Sequence, residues 1–248
     1  MIELIPAIDL IGGHCVRLTK GDYNASKTYS ENPVSIAKEF EKAGMKRLHV
    51  VDLDGAKSKH VVNADVLKAI TTETSLTVDF GGGIKTDEDI RTAFDCGAAM
   101  VTVGSVAVTN RSLFVHWLAE FGAERIVLGA DVRDGKISVN GWKEDSDNEL
   151  IPFLEYYISK GVTNVLCTDI SKDGMLSGPA FPLYQQIMKA FPGINLIASG
   201  GISCIDDIRE LDRMGIPSVV FGKAYYEQRI TLSQLERWQR ILCNNHTQ

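Results

Sequence analysis

Short apolar runs alternate with amphipathic stretches along the whole chain. The runs at 3–10, 47–53, 76–80, 100–103, 125–130, 164–167, 194–198 and 218–221 predict strands buried on both faces. Between them, apolar positions recur with helical spacing. The segment 33–44 opens with Pro33 at the first helical position, lines Val34, Ala37 and Phe40 on one face and stops at Gly44. Further helices are predicted from Asn63, over 87–96 before Gly97, over 111–121 with Leu113, Trp117 and Leu118 as the apolar face, up to Gly161, from Phe181, over 205–214 and over 232–243. The polar segments 11–30 and 169–179, and the stretch after Asp131 through Gly135 and Asn140-Gly141-Trp142, predict loops. Strands that alternate with helices pair in parallel through right-handed crossovers, and eight such units predict one α/β domain over 1–248, a closed (β/α)8 TIM barrel. A doubly wound open sheet is the alternative.

The pattern also repeats. Residues 80–89, FGGGIKTDED, join a strand through three glycines to a helix start, and residues 197–207, IASGGISCIDD, do the same with a Ser203-x-x-Asp206 capping signal. Gly83 and Gly201 lie 118 residues apart, as do Gly104-Ser105 and Gly222-Lys223. Asp52 and Asp169 lie 117 apart, and Asp9 and Asp131, each closing a strand, 122 apart. The barrel is therefore expected to be two half-barrels, 1–122 and 123–248. An even duplication favours closure over an open sheet, because the joined halves leave no free edge.

Loops that follow barrel strands share one face, where active sites of this fold are built. Asp9, Asp52, Gly81, Gly82, Gly83, Gly104, Ser105, Asp131, Thr168, Asp169, Gly200, Gly201, Gly222 and Lys223 are expected to converge there. Asp9 and Asp131 end the first and fifth strands, so they stand half a barrel apart. Two such carboxylates can divide acid and base work if their surroundings separate their pKa values; the other reading is that each caps the loop behind it. The glycine turns read as phosphate cradles, since glycine admits a ligand close to the backbone and a helix start adds N–H donors. The alternatives are tight turns alone, or one vacant relic site. Two cradles on opposite sides imply a small molecule with a phosphate at each end and its reacting centre between the two aspartates.

A net charge of −6 without a Lys/Arg run argues against nucleic acid as a partner, so an anion must be held by local dipoles and a few cations. The five cysteines form no C-x-x-C pair, and the five histidines have no ligand spacing, so neither a disulfide framework nor a metal site is indicated. With no signal segment and no run of about 18 apolar residues, a cytoplasmic protein without a membrane span is expected.

The segments IPAIDL, VRLTKGDY, HVVDLDGA, FGGGIK, VGS, the NGW after Asp131, TDISKDGMLSGP, ASGGIS and FGKA, in this order and over essentially the whole chain, resemble the phosphoribosylformimino-aminoimidazole carboxamide ribotide isomerases of histidine biosynthesis. That resemblance implies an aldose–ketose isomerase, acting by Amadori rearrangement on a substrate with two phosphoribosyl groups. It implies no metal or organic cofactor, and a monomer with no obligate protein partner. It also gives roles that the spacing leaves symmetric. Asp131 is implied as the general acid that opens the ribose ring and Asp9 as the base that takes the C2′ proton, with Thr168 supporting the acid and Asp169 beside it. Trp142 is a candidate to stack on the imidazole or to pack on the rim, and Arg17 and Lys20 are candidate closing cations or a solvated loop face. Lys85 stands where arginine is expected, which loses a bidentate fork. His49 reads as a satisfied core or rim histidine. The sister cyclase of the pathway is the nearest rival. Its first strand usually carries Cys before Leu-Asp, where this chain has Ala7-Ile8-Asp9, and its loop lysine is here Arg17. A dual-specificity isomerase that also takes phosphoribosylanthranilate, and a silent phosphate-binding scaffold, complete the alternatives. Retention of both strand-end carboxylates speaks against the last.

Overall fold

The apolar runs become strands because each finds a partner on both sides. In the computed structural model, which describes residues 1–19, 22–142 and 144–245, the chain runs β1 (Glu3–Ile11), β2 (His14–Thr19), β3 (Asp22–Ser30), α1 (Pro33–Lys42), β4 (Arg47–Asp52), α2 (Leu53–Ser58), α3 (Ala64–Glu73), β5 (Thr77–Gly81), α4 (Asp87–Asp95) and β6 (Met100–Val103). It continues with α5 (Ser105–Thr109), α6 (Arg111–Phe121), β7 (Ile126–Arg133), β8 (Lys136–Val139), β9 (Glu144–Glu149), α7 (Leu150–Ser159) and β10 (Asn164–Asp169). The last elements are α8 (Phe181–Ala190), β11 (Asn195–Ser199), α9 (Ile205–Arg213), β12 (Ser218–Phe221), α10 (Lys223–Tyr226) and α11 (Leu232–Asn245). Among the described residues, eight strands pair in parallel in the ring β1-β4-β5-β6-β7-β10-β11-β12, and β12 returns to β1 with Glu3 opposite Ser218. The barrel is closed, and the open-sheet alternative is excluded.

Strand alternation divides the interior in two. Ile8, Leu10, Leu48, Val50, Phe80 and Val101 belong to the large core between strands and helices, while Ile5, Ala7, Val127, Leu166, Ile197 and Val220 fill the inside of the barrel. Below this plug, Arg47 is buried against Glu3 at 2.9 Å. Above it the inward positions turn polar: Asp9, His49, Thr102, Asp131, Thr168 and Ser199 line one cavity at the C-terminal ends of the strands. The register therefore puts apolar volume at mid-height and chemistry at one mouth.

Two of the predicted loops differ. Residues within 11–30 form the antiparallel ribbon β2–β3, and the stretch after Asp131 contains the ribbon β8–β9. A ribbon that rises beyond the barrel wall is held by backbone pairing, and β3 is mostly exposed on both faces, so it lacks the alternation that marks a strand in sequence. Among the described residues no helix is long and apolar enough to cross a membrane.

Candidate active site

Asp9 and Asp131 occupy opposite strands of the ring, four steps apart in either direction, and both line the cavity, which measures about 270 Å³. The Asp9 carboxylate accepts from Arg17 Nη1 at 2.8 Å, and Nη2 of the same guanidinium donates to the Ala7 carbonyl at 2.8 Å. Arg17 also lies over the Tyr226 ring at 5.3 Å and presses on Gly222, where a Cβ would stand 1.6 Å from Nη2. Glycine at 222 thus makes room for the arginine. Burial pushes the Asp131 carboxyl above its usual range, against side-chain hydrogen bonds from Trp142 and Thr168 and the nearby ring of His49. Trp142, at positive φ in the turn between β8 and β9, is bonded to this carboxylate by its side chain, and its carbonyl accepts from Arg133 at 3.0 Å.

A third carboxylate joins them. Asp173, in the loop after β10, lines the cavity and is pushed up to about 6 by burial, with Arg17 pulling it down and Asp9 and Asp131 pushing it up. The neighbouring Gly174 carbonyl accepts from Lys223 at 2.7 Å, which ties this loop to the start of α10. Asp169, the loop carboxylate named from the sequence, does not line the cavity. Its Oδ1 accepts from the amide and hydroxyl of Ser171 at 2.9 and 2.6 Å, a turn of the loop itself. Sequence reasoning chose Asp169 because it ends a strand; nothing in TDISKDG marks which of the two aspartates turns inward. His49, read as a core or rim residue, also faces the cavity.

The glycine turns reach the cavity on both sides: Gly81, Gly82, Gly83, Gly104 and Ser105 on one, Gly200, Gly201, Gly222 and Lys223 on the other. The reason for glycine differs from the expected ligand approach. A Cβ on Gly82 would lie 2.2 Å from the Asp52 carbonyl, on Gly83 2.5 Å from that of His60 and on Gly201 2.4 Å from that of Gly178, and all three have positive φ. Neighbouring backbone, not the cavity, excludes the side chain there.

The helix starts behind these turns also differ from expectation. At α4, Asp89 Oδ2 accepts from the amides of Lys85 and Thr86 and from the Thr86 hydroxyl, so those donors are already satisfied. At α9, Asp207, rather than Asp206, takes the Ser203 amide and hydroxyl and the Cys204 amide, while Asp206 pairs with Arg209. The short helices α5 and α10 begin at Gly104 and Gly222 without a side-chain cap. Their first amides are thus the better-placed donors for an anion. Ser105 Oγ accepts from the Asn140 amide at 3.2 Å, which fastens the β8–β9 turn beside this start. Lys85 lines the cavity and is half-buried, and burial lowers its pKa. Lys20 lies outside the described residues.

A family described as histidine biosynthesis protein matches residues 3–231. A relative from Phocaeicola vulgatus, named 1-(5-phosphoribosyl)-5-((5-phosphoribosylamino)methylideneamino)imidazole-4-carboxamide isomerase, is 64% identical over 238 residues, covering 96% of this chain and 100% of its own. Relatives of the same name from Bacteroides thetaiotaomicron and Flavobacterium johnsoniae are 61% identical over 235 residues (95% and 98% covered) and 53% identical over 237 (96% and 99%). Matched over almost its whole length by that profile and by these relatives, the chain belongs to the histidine biosynthesis protein family.

Proposed function

We propose that the chain is an aldose–ketose isomerase that converts the N-linked aminoaldose carrying two phosphoribosyl groups into its aminoketose, by general acid–base catalysis across the barrel mouth. The relatives' shared name supports the reaction. The observation that carries the mechanism is the set of carboxylates that line one cavity between two groups of glycine turns. In this reading the turns at 81–83 with 104–105, and at 200–201 with 222–223, hold one phosphate each, and the ribose between them rests against Asp9.

An acid first protonates the ring oxygen, and the C1′–oxygen bond breaks to leave a protonated Schiff base. Asp9 then removes the C2′ proton to give an enolamine. The enol hydroxyl loses its proton as C1′ gains one, and the aminoketose forms with no net change in protons. Proton transfer of this kind contributes about 10²–10⁴-fold per group. The resemblance gives the acid's part to Asp131. We assign it instead to Asp173, because this carboxyl lines the same cavity and burial holds it near 6, with a proton to give close to neutrality, whereas Asp131, also raised by burial, already accepts hydrogen bonds from Trp142 and Thr168. Asp131 then orients the substrate with Thr168 and Trp142.

A spectrophotometric assay with the aminoaldose, with phosphoribosylanthranilate, and with ammonia plus the aminoketose separates this reading from the dual-specificity and cyclase alternatives. Turnover of the first substrate is expected, and turnover of the third alone would overturn the reading. In the same assay Asp173→Asn is expected to lose at least about 10²-fold in kcat. A wild-type rate in that variant beside a crippled Asp131→Asn would return the acid to Asp131.

A further inference from the structure

Asp79, on β5, is an interior carboxylate with 1% exposure that does not itself line the cavity. Its two oxygens are committed to the two neighbouring strands. Oδ2 lies 2.8 Å from His49 Nδ1 on β4, and Oδ1 accepts from Thr102 Oγ1 at 2.7 Å on β6. The register dictates both contacts, since His49 stands opposite Asp79 and Thr102 lies two residues beyond Met100, the partner of Asp79 on β6. A carboxylate gripped from both sides cannot turn. An ionised carboxylate accepts only, so a ring nitrogen that donates to it carries a proton.

His49 is 7% exposed and lines the same cavity as Asp131. With Nδ1 engaged by Asp79, Nε2 is the nitrogen left to face the cavity. Outer partners of this kind set both the tautomer and the ring plane of a histidine. An imidazole free to rotate, or protonated on the other nitrogen, would present a different group to Asp131. We propose that Asp79, steadied by Thr102, is a positioning residue that keeps the proton on His49 Nδ1 and aims Nε2 at Asp131 and the reacting sugar. This rests on the reading that Asp131 belongs to the active site.

The test combines kinetics with the nitrogen chemical shifts of the histidine rings. Asp79→Leu removes the acceptor at similar volume, and Asp79→Asn keeps an oxygen that can still face Nδ1. His49→Gln assigns the resonances. The expected result is a protonated Nδ1 at His49 in the wild type. In Asp79→Leu the proton moves to Nε2 and kcat falls about 10–100-fold, with KM for the bisphosphate substrate within about threefold. Asp79→Asn restores the Nδ1 proton and most of kcat. An unprotonated Nδ1 in the wild type overturns the proposal, and so does a wild-type kcat in folded Asp79→Leu. Should Asp79→Leu not fold, the wild-type spectrum and Asp79→Asn still decide, because an Asn variant that loses the Nδ1 proton yet keeps full kcat also overturns it. Asp131→Asn in the same assay separates the two levels: if it is crippled while Asp79→Leu is not, this inference alone fails, and if both turn over normally, the site reading fails.

Discussion

The backbone nearest to an added Cβ decides whether Gly83 or Gly104 can be replaced. At Gly83 a Cβ would stand 2.5 Å from the His60 carbonyl with φ at +83°, so Gly83→Ala forces rigid backbone apart and is expected to cost about 2 kcal/mol or more. At Gly104 the nearest contact would be 3.4 Å, an ordinary one, and Gly104→Ala is expected to stay within about 1 kcal/mol. Thermal unfolding of the two variants checks the contrast, and equal losses would contradict it. Asp173 makes a second case, with a definite sign. Its pKa is raised on folding to about 6, so the neutral form fits the fold and the ionised form strains it. The strain is absent below about pH 4, where the carboxyl is protonated in both states, and grows as pH rises to about 6. Asp173→Asn is therefore expected to be more stable than the wild type by roughly 2–3 kcal/mol at pH 8, and to show no gain at pH 4. A gain that is the same at both pH values would contradict the shift. At this scale Asp9 and Asp131 were legible because each closes an apolar strand, which fixes where it emerges. Asp173 was not, because it lies in a loop whose course depends on contacts such as that of Lys223 with Gly174.

The ribbon β2–β3 illustrates what an element contributes beyond its residues. It carries Arg17 to Asp9 at its inner end, while its outer part is fastened to the barrel by Tyr23 on the Leu53 carbonyl at 2.8 Å and by Lys27 and Tyr29 on Glu227. The Tyr29 ring also packs on Tyr226, 4.9 Å between centroids, and Tyr226 lies beneath Arg17. Loosening the outer fastening should free the ribbon without touching the carboxylates. Tyr29→Phe combined with Glu227→Ala is expected to raise KM several-fold with a smaller change in kcat, and to speed amide exchange along 22–30. Unchanged exchange in that variant would show that the fastening is incidental. The barrel strands and helices were legible because burial on two faces, or on one stripe, leaves a period in the sequence. The ribbons were not, because backbone pairing and a few polar side-chain contacts hold them, and most of β3 faces water on both sides, which leaves no apolar period.

The molecule as a whole carries the same construction twice. Gly82 packs on the Asp52 carbonyl as Gly200 does on that of Asp169, and Gly83 on His60 as Gly201 on Gly178. Asp89 satisfies the start of α4 as Asp207 does that of α9. The members of these pairs stand 117 or 118 residues apart, as the sequence repeat requires. We infer that the two halves are copies of one unit, each of which brings a turn for one phosphate. Inorganic phosphate is then expected at both turns in a crystal, near 81–105 and near 200–223, and density at one alone would favour a vacant relic. The repeat was the most legible feature of all, because spacing survives where composition says little.

The distribution of labour around the ribose is the claim on which the account stands, and deuterium at C2′ of the aminoaldose tests it most directly. Conversion by the wild type is expected to release the label to water with a primary isotope effect on kcat. Asp9→Asn should bind the bisphosphate product normally yet release the label at least about 10²-fold more slowly. Release at the wild-type rate in Asp9→Asn would contradict the account.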